Sequence, residues 1–329
     1  MIRTRFFAFA LLCLTALGAH AAASGAYPSK PVTLVVPYPA GGSTDATARA
    51  MNAALAKVLG QPVVVENVSG GSGSIGAAKV ARSKPDGYTL LLGTVNETVL
   101  APLTNRAASY KGEDLVPVGK IGDSSFVLVG RQDFPARNID ELIEYARKNP
   151  GKVSYATSGI GTVQHVIMAR IQELSGTSLL HVPYRGGSSL VTDLLGGQVD
   201  LALVSPATFP DYLQNGRVRV FGTIGLQRDE LLKNIPTVNE GKYLKGVNQD
   251  GWVGIFAPAG TPPEAMQRIS EAFRTMLSNE EFLAQLRRIN IAPAKVSQQA
   301  GFASAVTETR SKMRETISRM KLDESEVSR

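Results

Sequence analysis

The feature that most constrains this chain is its alternation of short, unbroken Val/Leu runs with helical periodicity. PVTLVVPY at 31–38 is followed by Ala48, Met51, Leu55 and Val58 at three- and four-residue spacing, and then by Gly60. An apolar run without polar alternation marks a strand covered on both faces. The spacing after it is one face of an amphipathic helix, and the glycine ends it. PVVVENV at 62–68, a helix near 74–82 and YTLLLGT at 88–94 repeat the cycle. Such units fold through right-handed crossovers into a sheet layered with helices.

A second set of strands is expected at 126–131, 153–158, 179–184, 201–206 and 218–225. The helix from Asn138-Ile139-Asp140-Glu141 to about Arg147 lies among them, stopped by Asn149-Pro150-Gly151. GWVGIFAP at 251–258 is one more strand, followed by helices, the last with Phe302, Val306, Thr309, Met313 and Ile317 on one face. No Pro/Ser tether separates the two sets. The expected crossings are therefore strands, LVPVGKIG at 115–122 outward and GWVGIFAP back. A chain that leaves one domain, builds a second and returns makes two lobes, two hinge strands and a cleft. The expected division is 24–124 with 250–329 as the first domain and 125–249 as the second. The closing KLDESEVSR has no apolar face and is expected to fray.

The N-terminus bears on compartment. A short basic head with Arg3 and Arg5 leads FFAFALLCLTALGA, and AHAAA follows with small residues at cleavage spacing. The pattern predicts a secretory signal over 1–23, removed near Ala21 to Ala23, and a periplasmic protein. The apolar run is shorter than the ~18 residues of a membrane span. Cys13 is the only cysteine. It lies inside the signal, so the exported chain has no disulfide and no cysteine metal site. Lys and Arg number 35 against 28 acids, a formal charge of +7 without Lys/Arg runs, so no nucleic-acid partner is expected.

In parallel α/β sheets ligands sit where strands exit beside helix N-termini. The first exit is PYPAGGSTDA at 37–46, where Gly41 and Gly42 permit close backbone approach and Ser43 or Thr44 can cap the helix. Free amides and the positive helix end make an anion site there, most naturally for a carboxylate. Asp45 is either compensation for the helix dipole or an acceptor for a ligand amine or hydroxyl. SGIGTVQH at 158–165 is a second such cradle, aimed from the opposite side, and HVPYRGGSS at 181–189 a third.

Catalysis finds little support. His165 and His181 stand in no H-x-x-x-H or H-E-x-x-H pair, no serine lies in G-x-S-x-G, and no carboxylates are paired by spacing. Gly71, Gly73 and Gly76 do fit G-x-G-x-x-G, with Glu97 at about the dinucleotide spacing, but past the strand tip rather than on it. No cofactor or metal is expected. An exported enzyme or dinucleotide binder stays the alternative class, and a ligand sensor docking on a membrane kinase a third reading.

The ordered set YPSKPVTLVVPYPAGGSTD, VVENVSGGSGSIGA, PDGYTLLLGT, NPGKVSYATSGIGTVQH, HVPYRGGSSLVTDLLGGQVDLAL and GWVGIFAPAGTP resembles the periplasmic solute receptors of tripartite tricarboxylate transporters, also called Bug receptors. The likeness covers roughly residues 27–320. It implies an α/β, two-lobed periplasmic binding protein of type II, a Venus flytrap with two hinge strands. Such a protein is not an enzyme: it captures a small carboxylate (a di- or tricarboxylate or an aromatic acid) and delivers it to the transporter's membrane permease, working as a monomer. By that resemblance the ligand is held by Tyr38, Ala40, Gly41, Ser43, Thr44 and Asp45 from one lobe, and by Ser158, Gly159, Thr162 and His165 from the other. Ser72, Ser74, Thr94, Asn96, Tyr184, Ser205 and Trp252 complete the walls. Two positions depart from the family pattern. Val204-Ser205 stands where many relatives carry an aspartate, and Thr94-Val95-Asn96-Glu97 replaces a small-residue loop.

Overall fold

The computed structural model describes residues 27–208, 211–213, 215–248 and 251–319. The expected signal, Cys13 and the closing nine residues lie outside the described residues.

Two mixed sheets divide the strands. The first has the order β11-β4-β10-β3-β1-β2 and the second β7-β6-β8-β5-β9. In the first, β1 (Val32–Val36) lies parallel to β2 (Val63–Asn67) and β3 (Thr89–Thr94), as its unbroken apolar run requires. β4 (Leu115–Ser124) and β10 (Gly251–Pro258) pair antiparallel along their length, from Gly251↔Ser124 to Pro258↔Leu115. A single residue, Ser125, separates β4 from β5 (Phe126–Arg131), an inner strand of the second sheet. These are the two hinge strands. Their antiparallel pairing follows from one strand leaving and the other returning.

The second sheet sets β6 (Ser154–Thr157) parallel to β7 (Leu180–Pro183) and β8 (Leu201–Val204). It sets β5 antiparallel to β8 and to β9 (Val218–Ile224). β11 (Ala292–Pro293) is a two-residue edge on β4 that no hydrophobic run announces.

Helices cover both sheets. α1 (Ser43–Leu59) buries Ala48, Met51, Leu55 and Leu59, and ends at Gly60 with a left-handed φ of 72°. Val58, expected on that face, is half-buried, because the four-residue step from Met51 and Leu55 lands on Leu59. α2 (Ser74–Ala81) packs on β3 and β1. A wide helical turn over Asn96–Leu100 runs into α3 (Ala101–Thr104), where the sequence suggested only a loop. α4 (Ile139–Lys148) is capped by Asn138, whose side chain accepts from the Glu141 amide. α5 (Val163–Ser175), α6 (Gly187–Leu195), α7 (Pro263–Met276), α8 (Glu280–Arg288) and α9 (Phe302–Arg319) complete the set. α9 returns Phe302, Val306 and Met313 to the core, where Trp252, Phe256 and Phe302 pack with ring centroids 5.3–5.7 Å apart. One buried cluster runs through residues of both sheets, from Leu91 and Phe256 to Leu128, Tyr155 and Leu201. The molecule is thus a two-lobed α/β fold with a hinge of two strands.

Candidate functional site

The strand exits converge on one cleft of about 810 Å³, counting the part open to solvent. Tyr38 follows β1, Thr94 ends β3, Ser158 follows β6 and Ser205 follows β8, and all four line it. Ser43, Thr44, Asn96 and Trp252 line it as well.

Two helices point their N-termini at this space. α1 begins at Ser43 with Gly42 as its N-cap, in extended backbone (φ −82°, ψ 173°), and no side chain caps it. α6 begins at Gly187 behind Gly186, also without a side-chain cap. Gly42, Ser43, Thr44 and Gly187 all line the cleft. A Cβ placed on Gly42 would stand 4.0 Å from the Gly187 amide nitrogen, so the two helix ends nearly meet. The first amides of a helix have no partner within it, and each N-terminus carries about half a positive charge. The expectation that Ser43 or Thr44 caps α1 is corrected: both are already helical, so neither is placed to close the end.

The second expected cradle is also corrected. The Val163 amide donates to Asn96 Oδ1 from the other lobe (2.8 Å), and the His165 amide to Thr162 Oγ1 (3.4 Å). The Gly159 amide turns to Thr157 Oγ1 and the Gly161 amide to His165 Nδ1. Short polar side chains near a helix start satisfy its free donors, and Thr162, Thr157 and Asn96 do so here. The opening opposite α1 is therefore the third exit, at Gly186-Gly187.

Several site candidates have other work. The Asp45 carboxylate accepts from the Gly41 amide (2.9 Å), Asn67 Nδ2 (3.1 Å) and Arg49 Nε (2.8 Å). Burial raises its pKa, but those three bonds outweigh it and hold Asp45 below the usual carboxylate range. It ties down the loop and does not line the cleft. Ala40 and Gly41 are exposed beside it. Buried His165 stacks on His181 at 4.2 Å between ring centroids and does not line the cleft. Thr162 Oγ1 donates to the Gly159 carbonyl, and neither residue lines the cleft. The Tyr184 hydroxyl donates to Asp193 (2.6 Å), away from the cleft. Ser72 Oγ donates to the Ile160 carbonyl (2.9 Å), a bond between the lobes, and Ser74 Oγ accepts from Asn105 Nδ2 (3.3 Å).

The Gly71/Gly73/Gly76 loop packs against its own sheet. A Cβ on Gly76 would lie 2.8 Å from Pro37 Cα, and one on Gly73 3.1 Å from both the Tyr38 hydroxyl and Glu97 Cβ. Glu97 is fully buried behind Tyr38 and accepts from the Thr94 amide, Thr94 Oγ1 (2.8 Å) and the Tyr38 hydroxyl (3.0 Å). It is not offered to a ribose.

Glu97 and His181 also give the protein opposed pH dependences. Burial pushes Glu97 up to about 7, against the pull of its bonds from Thr94 and Tyr38. Its stabilisation is complete below the unfolded value near 4.5 and is lost as pH rises through 7, about 3 kcal/mol in all. Burial, with the neighbouring His165, pushes His181 down to about 3, so its stabilisation is complete above about 6.5 and is lost as pH falls. Between pH 5 and 7 the two slopes oppose. Glu97→Gln removes the first, so urea midpoints of the variant rise with pH across this window while those of the parent stay nearer level. Parallel profiles would show that Glu97 titrates normally.

Sequence reasoning missed several lining residues, among them Gln164, Phe126, Ser124 and Thr208. Ser124 at the hinge bonds Ser205 Oγ at 2.8 Å, so Ser205 is paired within the protein. Gln164 is 8% exposed, and its Oε1 is buried without a hydrogen-bond partner. It sits beside the more conspicuous His165. The first-turn position on α5 was the signal for it, since that helix starts at the cleft. Among the described residues, no group of three or more His, Cys, Asp or Glu is placed to hold a metal, and no helix is long and apolar enough to cross a membrane.

Comparison with known proteins decides the family. The profile of the tripartite tricarboxylate transporter family receptors matches residues 47–322. The chain belongs to that family. A UPF0065 protein encoded in the tcbD-tcbE intergenic region of a Pseudomonas species (strain P51) is 35% identical over 292 residues, covering 89% of this chain and 87% of the relative. The periplasmic binding protein BugD is 32% identical, with a TM-score of 0.84 over 90% of this receptor and 99% of BugD. MatC from Rhodopseudomonas palustris, solved with bound malate, is 27% identical, with a TM-score of 0.83 over 88% of this receptor and all of MatC.

Proposed function

We propose that this receptor closes on a small organic carboxylate in the cleft between a lobe of residues 24–124 with 250–329 and a lobe of residues 125–249, and hands it to the membrane subunits of a tripartite transporter. One observation carries the reading: two helix N-termini, one from each lobe, neither capped by a side chain, line the same cleft. Amides aimed at one point from two bodies bind an anion only when the bodies come together, which couples capture to closure. The malate held by MatC is a ligand of this class. Contacts across the lobes, Ser72 to Ile160 and Asn96 to Val163, support the shut form.

A binding protein rather than an enzyme fits the chemistry. Asp45 and Glu97 are bonded within the protein, and His165 and His181 stack on each other. Export through residues 1–23 and action as a monomer in the periplasm complete the proposal.

The test is a thermal-shift and calorimetric titration of the purified chain with malate, citrate, benzoate, glutamate and NAD. A ligand present at 100 times its Kd stabilises the native state by about 2.7 kcal/mol, a midpoint rise of several degrees. A carboxylate is expected to produce it. A rise with NAD and with none of the acids would reject the reading.

A further inference from the structure

The geometry points to a singly charged ligand: a small monocarboxylate with an apolar body and a hydroxyl or amide donor that pairs with Gln164. This rests on the carboxylate reading above and names the substrate class within it.

The first argument is charge balance. Each helix N-terminus with free amides supplies about half a positive charge. The α5 end, also at the cleft, has the Val163 and His165 amides taken by Asn96 and Thr162, so α1 and α6 together match about one carboxylate. None of the described side chains lining the cleft is charged. The internal residues outside the description are Phe209, Pro210, Gln214, Gln249 and Asp250, none of them basic. A second or third carboxylate would lose its water with no cation to replace it, which is unfavourable wherever a charge is buried unpaired. A ligand ammonium fares no better with the described carboxylates. Asp45 is committed to Gly41, Asn67 and Arg49, and Glu97 to Thr94 and Tyr38.

The walls set the second condition. Phe126, Leu190, Leu203, Val204, Trp252 and Ile291 line the remainder of the cleft. They reward a ligand body that brings apolar surface of its own. A short polyacid such as citrate has little.

The third argument is an acceptor without a donor. Gln164 lines the cleft, yet its Oε1 is buried and unpartnered. Three other polar residues of the lining are engaged within the protein: Asn96 with Tyr38 and Val163, Thr94 with Glu97, Ser205 with Ser124. A buried acceptor left unpaired is costly, and a ligand donor relieves that cost only in the bound state. The arrangement therefore favours acids that carry such a donor over those that lack one.

Calorimetry of the purified chain with benzoate, 3-hydroxybenzoate, 4-hydroxybenzoate, malate, adipate, citrate and glutamate tests this. At least one hydroxybenzoate is expected to bind about tenfold tighter than benzoate, the worth of one hydrogen bond to a buried group. Benzoate is expected to bind tighter than malate, adipate, citrate or glutamate. Gln164→Leu should erase the difference in affinity between the hydroxybenzoates and benzoate, both measured on the variant. The comparison among ligands on the unsubstituted protein needs no variant to fold. Tighter binding of any polyacid or of glutamate than of every monocarboxylate overturns the inference and leaves the carboxylate reading intact. A hydroxyl preference that survives Gln164→Leu overturns the role of Gln164. Failure of every acid to bind overturns the carboxylate reading itself.

Discussion

Gly42→Val is expected to weaken carboxylate binding by at least about 100-fold while leaving the fold in place. Gly42 is the N-cap of α1 and lines the cleft, and its backbone is extended, a conformation open to any residue. A Cβ there meets only the Pro39 carbonyl at 3.6 Å and the Gly187 nitrogen at 4.0 Å, ordinary contact distances. Valine adds two methyls to that atom, which stands beside the Gly187 amide at the start of α6. The loss corresponds to roughly two charge-assisted hydrogen bonds, about 3 kcal/mol. The stability change should stay below about 1 kcal/mol, because a poorer N-cap is partly offset by a stiffer unfolded chain. Calorimetry and a urea melt on the same preparation separate the two effects. Gly41→Val is a poorer probe, because Gly41 holds a left-handed φ of 82° and donates to Asp45, so its loss confounds binding with folding. Undiminished binding by Gly42→Val would place the ligand elsewhere.

Asp45→Ala should lower stability by about 3 kcal/mol and the thermal midpoint by roughly 5–10 °C. The buried carboxylate joins the Gly41 amide to Asn67, and Asn67 Nδ2 also donates to the Tyr38 carbonyl at 3.0 Å. Its removal leaves the Gly41 amide without its acceptor and frees the loop from 37 to 42. Arg49 is 62% exposed on its side chain and returns to water, so the ion pair contributes little of the loss. Carboxylate affinity should fall with the loop's order. A variant that binds more weakly but melts with the parent would make Asp45 a ligand contact after all.

Much of the fold was readable because burial on both faces writes itself into composition. The runs at 126–131 and 251–258 coincide with β5 and β10, and the crossing strands emerged from the lack of any tether. The two-residue β11 and the wide turn at Asn96–Leu100 left no such trace. Their hydrogen bonds are made with distant strands or by side chains, not by a periodic face.

The candidate site was legible at the level of loops and not of atoms. That β1, β6 and β7 exit into glycine-bearing turns before helices follows from residue order alone. Which turn keeps its amides free depends on what lies across the cleft. The turn at 158–162 is satisfied by Asn96, sixty-seven residues away from Val163, and by Thr157 and His165. The turn at Gly186-Gly187 has no side chain bonded to its helix start. Local patterning, set by the covalent neighbours and the need to bury apolar faces, determined the strands, the helices and the hinge. The choice of α6 over α5 to face α1, the burial of Glu97 and the unpaired Gln164 came only with the packing of one lobe on the other, because hydrogen bonds between segments far apart in sequence exist only once both are in place.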